Sequence, residues 1–279
     1  MRLRTLPVSV AGVVAATAFA VADGHFNAIP AAICLAFAVL AQIASNFANE
    51  YYDFTAGRDR PGREGPRRGV TEGDITPRAM RRATAITLGL AACAGLSLVA
   101  WGGWWLVFVG LFVAVGVVAY SAGPYPLSTN GLGEAAVVVF FGIIPVNFTY
   151  WLQAHQWPLE VAMASVAIGL MGANVLVVNN YRDMDDDSAV GKRTLCVRFG
   201  RRAMRWLYEA NALVATALLM PAWLAAGWGG WAVAAAYAAL SACIAVALGR
   251  RSGAALTPLL GATAALMAAV AAALLALAC

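Results

Sequence analysis

Residues 29–53 read IPAAICLAFAVLAQIASNFANEYYD, an apolar run without a charge before Glu50 that closes on Asn49 and Asp53. A helix needs roughly 20 apolar residues to cross about 30 Å of hydrocarbon, so this stretch predicts a membrane-spanning helix with a polar tip. Residues 160–183, EVAMASVAIGLMGANVLVVNNYRD, repeat the arrangement: Asn179 precedes Asp183 by four residues, as Asn49 precedes Asp53. Residues four apart share a helix face, so each pair projects into one space. The second and sixth helices therefore read as related elements, and Asp187 extends the second face by a further turn.

Apolar runs continue outward from these two along almost the whole chain, near 6–25, 29–49, 83–101, 103–120, 134–152, 160–180, 206–225, 229–248 and 255–278. Hydrophobic residues make up 62% of the 279 and charged residues 12%, about half the charged share of a soluble domain. The expectation is an all-α integral membrane protein, a single domain over 1–279 with nine transmembrane helices. Arg2 preceding the first run suggests a signal peptide, but eight further runs follow, and the run reads as a retained helix.

With the N-terminus cytoplasmic, all 19 Lys and Arg fall on inner segments: Arg2 and Arg4, Arg58 to Arg82, Arg182 to Arg205, and Arg250 with Arg251. The opposite connections, around Gly24, Gly102, His155 and Gly227, carry none. This is the positive-inside asymmetry, and it places the C-terminus on the far side. The pI near 9.1 is thus a topology signal. Basic residues divided among short loops argue against nucleic acid and for anionic lipid or a diphosphate as partner. Of five cysteines, only Cys196 falls in a cytoplasmic loop, which predicts no disulfide and no thiolate metal site.

Two inner loops, 50–82 and 181–205, are long and polar, so chemistry is expected there. Asp59 follows Gly57 and belongs to a loop that returns toward the site. Carboxylate and amide oxygens suit Mg2+, which keeps some waters and is completed by substrate phosphate. A diphosphate held this way leaves more readily, because cations neutralise the charge developing on it. Arg58, Arg63, Arg67, Arg68, Lys192 and Arg193 can add charge-assisted contacts to phosphate oxygens. Tyr120 and Tyr125, at the inner end of the fourth helix, suit either an interfacial anchor or a diphosphate contact. Glu64, Glu72, Asp74, Asp185 and Asp186 read as solvated loop charges. His25 and His155 fall on the outer side, the tryptophans read as interfacial anchors, and the last three helices read as scaffold. Gly191–Lys192–Arg193 lacks the glycine spacing of a phosphate-binding Walker loop.

Three ordered motifs carry a family resemblance. The first runs from Gln42 through Asn46, Asn49, Asp53, Gly57 and Asp59 to Arg63–Glu64–Gly65–Pro66 and Gly73. The second joins Tyr120–Ser121, Gly123–Pro124, Pro126–Leu127, Gly131–Leu132–Gly133–Glu134, Phe140–Phe141–Gly142 and Gln153. The third reads Asn179–Asn180–Tyr181–Arg182–Asp183, Asp187, Gly191–Lys192–Arg193–Thr194–Leu195 and Arg198–Phe199–Gly200. The chain resembles the UbiA superfamily of membrane prenyltransferases, most closely its dihydroxynaphthoate branch.

That resemblance implies a helical bundle around a central cavity, in a bacterial cytoplasmic membrane. It implies that Asn49, Asp53, Asp59, Asp183 and Asp187 bind magnesium and diphosphate, joined by Asn46, Asn179 and Arg182, with the polyprenyl tail in an apolar tunnel. It also implies that the dihydroxynaphthoate ring is prenylated at its carboxylate-bearing carbon with loss of carbon dioxide, as in menaquinone biosynthesis. Phe148 and Gln153 would then belong to the acceptor pocket. Glu50 stands where Asp is usual in this family, Leu3 where Pro is common, and Phe148 where Gly is frequent, which narrows that pocket. Competing readings are a terpene cyclase of the same superfamily, a prenyltransferase for another aromatic acceptor, and a cation-coupled transporter. The shared orientation of the two polar tips disfavours the transporter.

Overall fold

A computed structural model describes residues 6–59 and 67–279. The helices are α1 (Leu6–Ala22), α2 (Ala28–Thr55), α3 (Pro77–Gly102), α4 (Leu106–Ala119), α5 (Gly133–Ala154), α6 (Leu159–Arg182), the short α7 (Met184–Ala189), α8 (Leu195–Leu218), the short α9 (Met220–Ala225), α10 (Gly227–Arg250) and α11 (Thr257–Ala278). No strand occurs among the described residues. Among the described residues, six helices are long and apolar enough to cross a membrane: α2, α3, α5, α6, α10, and α11 with the turn before it. α1 and α4 are apolar but shorter, at 17 and 14 residues.

α6 is the central post. Buried residues make up 72% of its apolar window, against 17% for α3. α8 and α5 pack on α6, α1 packs on α11 and α5, and α2 pairs with α3 along their lengths. Lipid offers little hydrophobic drive between helices, so close backbone approach through small residues carries the packing. A Cβ on Gly142 of α5 would lie 2.3 Å from the Ser165 carbonyl of α6, and one on Gly169 would lie 2.8 Å from the Val138 carbonyl. Beside this contact, α5 widens into a π-helical turn at Val138–Ile143. Pro145, one turn on, has no N–H and crowds the carbonyl four residues before it, the kind of break that such turns accommodate.

The helix ends depart from the expected ones. α2 continues six residues past 49, to Thr55, so Asp53 is helical. α3 starts at Pro77 rather than 83, capped by Thr76, whose hydroxyl accepts from the Ala79 N–H at 3.2 Å. α8 starts at Leu195 rather than 206, capped by Thr194, and is kinked at Gly200. Hydropathy marks where a helix meets lipid, whereas hydroxyl caps mark where backbone hydrogen bonding starts. Cys196, expected in a loop, is consequently buried in the first turn of α8.

Candidate diphosphate and metal site

Asn49 and Asp53 occupy one face of α2, and the Asn49 Nδ2 donates to Asp53 Oδ2 at 3.3 Å. α2 then ends in a Schellman turn: the Gly57 N–H bonds the Phe54 carbonyl, and the Arg58 N–H bonds the Asp53 carbonyl at 2.8 Å. Gly57 adopts φ 66°, which a residue with a Cβ resists. The turn brings the Arg58 Nη1 to 3.6 Å from Asp53 Oδ1 and folds Asp59 back beside the helix end, where it is buried. The return of Asp59 inferred from Gly57 is what the backbone does.

The second half repeats this. Asn179 Nδ2 donates to Asp183 Oδ2, again at 3.3 Å. α7 carries Asp187 and ends in another Schellman turn, with the Gly191 N–H on the Ser188 carbonyl and the Lys192 N–H on the Asp187 carbonyl. Lys192 Nζ then lies 3.0 Å from Asp187 Oδ1. Aspartate, glycine four on and a cation five on is thus common to both halves (Asp53, Gly57, Arg58; Asp187, Gly191, Lys192). That interval was available in the sequence and would have singled out Arg58 and Lys192 from the other cations.

The two halves meet at Lys192, whose Nζ is also 3.8 Å from Asp53 Oδ2. The separation of the Asp53 and Asp187 oxygens cannot exceed the sum of those two distances. Arg68, buried, gathers the α2 side: Nη1 donates to Asn49 Oδ1 at 3.2 Å, Nη2 is 3.9 Å from Asp53 Oδ2, and Nε is 3.5 Å from Asp59 Oδ2. Two residues outside the expected set complete this end. Ser121 accepts from Asn49 Nδ2 at 2.9 Å, and its carbonyl accepts from Arg58 Nη1. Glu50 accepts from the Val70 N–H at 3.0 Å, pinning the loop that carries Arg68 to α2.

Other expected contacts are placed differently. Arg182 makes a two-pronged pair with Asp183, at 2.6 and 3.0 Å, and holds Asn179 Oδ1 at 3.0 Å, so its guanidinium is engaged within the protein. Arg67 is exposed and pairs with Asp74, which the Arg67 hydrogen bond holds below the usual carboxylate range. Tyr125 and Arg193 are exposed. Arg63 lies outside the described residues. Asp185, as expected of a loop charge, is exposed and meets only Arg201 among the ion pairs of the described residues.

A cavity of about 220 Å3 opens from this end between α1, α2, α4, α5 and α6. Its polar mouth is formed by Asn46, Asn49, Tyr120 and Asn179, and its walls are mostly apolar, with Ser9, Gln42, Ser45 and Thr149 among them. Of the two residues expected around an aromatic acceptor, Phe148 lines the cavity and Gln153 is held outside it. Gln153 accepts from the backbone N–H of Asn27, just before α2 begins. With a rise of about 1.5 Å per residue, the 26 residues from Asn27 to Asp53 put it roughly 39 Å from Asp53. Phe148 packs with Cys34 and Leu106 at the far end of the cavity.

The model of the UbiA prenyltransferase family matches residues 9–258. The chain belongs to that family. It is 40% identical over 206 residues to the 1,4-dihydroxy-2-naphthoate octaprenyltransferase of Escherichia coli (strain K12), covering 72% of this chain and 67% of that protein. It is 36% identical to the enzyme of the same name from Mycobacterium leprae (strain TN), covering 93% and 87%. Among solved structures, a UbiA homolog from Aeropyrum pernix K1 superposes with a TM-score of 0.72 at 16% identity, covering 99% of this chain and 98% of that one. A UbiA homolog from Archaeoglobus fulgidus bound to DMAPP and Mg2+ gives 0.67 at 16% identity, covering 98% of each.

The UbiA-type site here fits magnesium as two half-sites rather than as a cage. Among the described residues, no group of three or more His, Cys, Asp or Glu side chains converges. Mg2+ typically takes one or two carboxylates and completes its shell with water and phosphate. Among the described residues, Asp53 Oδ1 is buried without a hydrogen-bond partner and faces only the Arg58 guanidinium at 3.6 Å.

Proposed function

We propose that this integral membrane enzyme transfers a polyprenyl group from its diphosphate to 1,4-dihydroxy-2-naphthoate, with loss of carbon dioxide, to give demethylmenaquinol. The observation that carries the reading is the junction of two carboxylate-bearing helix ends at the polar mouth of an apolar cavity. The dihydroxynaphthoate octaprenyltransferases to which the chain is similar support this choice of acceptor.

Asn49, Asp53 and Asp59 would hold magnesium on one side, and Asp183 and Asp187 on the other. The metal, when bound, offsets negative charge on the leaving diphosphate. Lys192, Arg58 and Arg68 are within reach to donate to phosphate oxygens, with Tyr120, Asn46 and Asn179 at the rim of the cavity. The allylic C–O bond breaks with its electron pair going to diphosphate. The carboxylate-bearing ring carbon supplies the pair for the new C–C bond, and the electrons of the bond to CO2 return to the ring. Apolar walls keep water from the allylic cation.

The distribution of Lys and Arg supports a cytoplasmic N-terminus and cytoplasmic active-site loops. In this topology α1, α4 and α8 cross together with the six long apolar helices, making nine spans in a bacterial cytoplasmic membrane. The test is incubation of the purified protein with Mg2+, octaprenyl diphosphate and dihydroxynaphthoate, with products identified by mass spectrometry. A prenylated, decarboxylated naphthoquinol is expected. Hydrocarbon or alcohol formed equally without acceptor would assign a cyclase instead.

A further inference from the structure

We infer that Arg198 is a positioning residue: its guanidinium fastens the loop between α4 and α5 to the stretch between α7 and α8, and so holds Lys192 between Asp53 and Asp187. The inference rests on the diphosphate site proposed above, but not on the identity of the acceptor.

Lys192 is the only lysine in the chain, and its ammonium faces a carboxylate from each half of the site. A lysine head sits on a flexible four-carbon stem, so its place depends on how firmly its backbone is held. The turn after α7 holds one side, through the Lys192 N–H on the Asp187 carbonyl at 3.0 Å. The other side is held from outside: the Arg193 N–H bonds the Thr129 carbonyl at 2.7 Å. Arg198, one turn into α8, reaches back over this junction. Its Nε donates to the Arg193 carbonyl and its Nη2 to the Asn130 carbonyl, both at 2.9 Å.

The loop between α4 and α5 is shaped for that approach. Gly131 adopts φ 78°, and a Cβ there would lie 3.1 Å from the Arg193 carbonyl oxygen and 3.4 Å from the Arg198 guanidinium. Asn130 Nδ2 donates to the Pro126 carbonyl at 2.8 Å, and the Ser128 N–H bonds the Tyr120 carbonyl at 2.9 Å, which closes the loop on itself. Its first residues meet the α2 half, where Ser121 accepts from Asn49 and its carbonyl accepts from Arg58. Contacts therefore run from Asn49 and Arg58 through one loop to the backbone beside Lys192, and Arg198 is the last link. Arg198 is exposed, so its hydrogen bonds exchange with water at small net gain, and their effect is on geometry rather than stability.

The test is a double-mutant cycle on the full chain, read as the dissociation constant of geranylgeranyl thiolodiphosphate with Mg2+. The parent, Arg198→Ala, Lys192→Met and the double variant are compared, and no acceptor is needed. Loss of Arg198 is expected to weaken binding roughly three- to tenfold in the parent, yet by less than about twofold once Lys192 is methionine, since no ammonium then remains to be placed. Arg198→Lys, which has no planar fork to span two carbonyls, is expected to fall between. A role confined to stability would weaken binding by the same factor in both backgrounds, and that additive result would overturn the inference, as would unchanged binding in Arg198→Ala. Where Arg198→Ala does not stay folded in detergent, Arg198→Lys completes the cycle under the same criterion. Failure of the parent to prenylate dihydroxynaphthoate, with the non-additivity intact, would remove the acceptor assignment and leave Arg198 in its role. Failure of the parent to bind the analogue would remove the diphosphate site and this inference with it.

Discussion

Asp53 and Asp187, on helix ends from opposite halves of the chain, face one ammonium group: Lys192 Nζ is 3.8 Å from the first carboxylate and 3.0 Å from the second. A single cation thus balances two carboxylates that would otherwise repel, and it lies where an anionic leaving group is expected.

Lys192→Met removes that cation. A hydrogen bond to a charged group contributes about 1.5–3 kcal/mol, so kcat/KM for the prenyl diphosphate is expected to fall roughly ten- to a hundredfold. Steady-state assays at saturating acceptor check this. Unchanged kinetics would place Lys192 outside the phosphate site.

Asp53→Asn and Asp187→Asn each keep the side-chain volume and remove the charge. Each is expected to reduce turnover by at least about a hundredfold, the scale on which loss of one electrostatic stabiliser acts. Raising Mg2+ should partly restore either variant if the lost carboxylate is a ligand, and this is read from activity against Mg2+ concentration.

Arg68→Ala leaves Asp53 and Asp59 buried beside a vacated site. Removing one partner of a buried ion pair costs about 3–5 kcal/mol, so the variant should unfold at lower temperature in detergent. Arg68→Lys keeps the charge but cannot reach Asn49, Asp53 and Asp59 together, and an intermediate melting temperature is expected.

Gly57→Ala and Gly191→Ala meet no neighbouring atom, so their cost is the backbone strain of positive φ, about 1–2 kcal/mol each. Both should lose activity out of proportion to stability, because the two turns aim Arg58 and Lys192. Activity and thermal unfolding measured on one preparation separate the effects.

Arg67→Ala serves as the surface control. Its partner Asp74 has a depressed pKa, so the pair persists at neutral pH and is lost as acid protonates Asp74. KM for the diphosphate should be unchanged between pH 6 and 8, whereas Arg58→Ala should raise it.

The four-residue spacing of Asn49 with Asp53 and of Asn179 with Asp183 was readable because it depends only on helical periodicity, and both pairs make the same hydrogen bond. The return of Asp59 was readable because glycine after a helix end signals a chain reversal. The neighbours Arg67 and Arg68 have opposite fates, one on the surface and one buried under three polar groups. No local pattern distinguishes them, since the direction of a loop side chain depends on where Glu50 pins the Val70 backbone.

The sequence by itself determined the lipid-embedded helices, the two polar tips and the family, because hydrophobic length, periodicity and helix-end residues act within a few turns of chain. Only the tertiary structure decided that Lys192 joins the two halves, that Arg182 serves Asp183, and that Phe148 lies deep in the cavity rather than near the carboxylates. Those relationships depend on where one helix crosses another, which is settled by close backbone contacts such as Gly142 against Ser165 and Gly169, between residues the chain itself keeps apart.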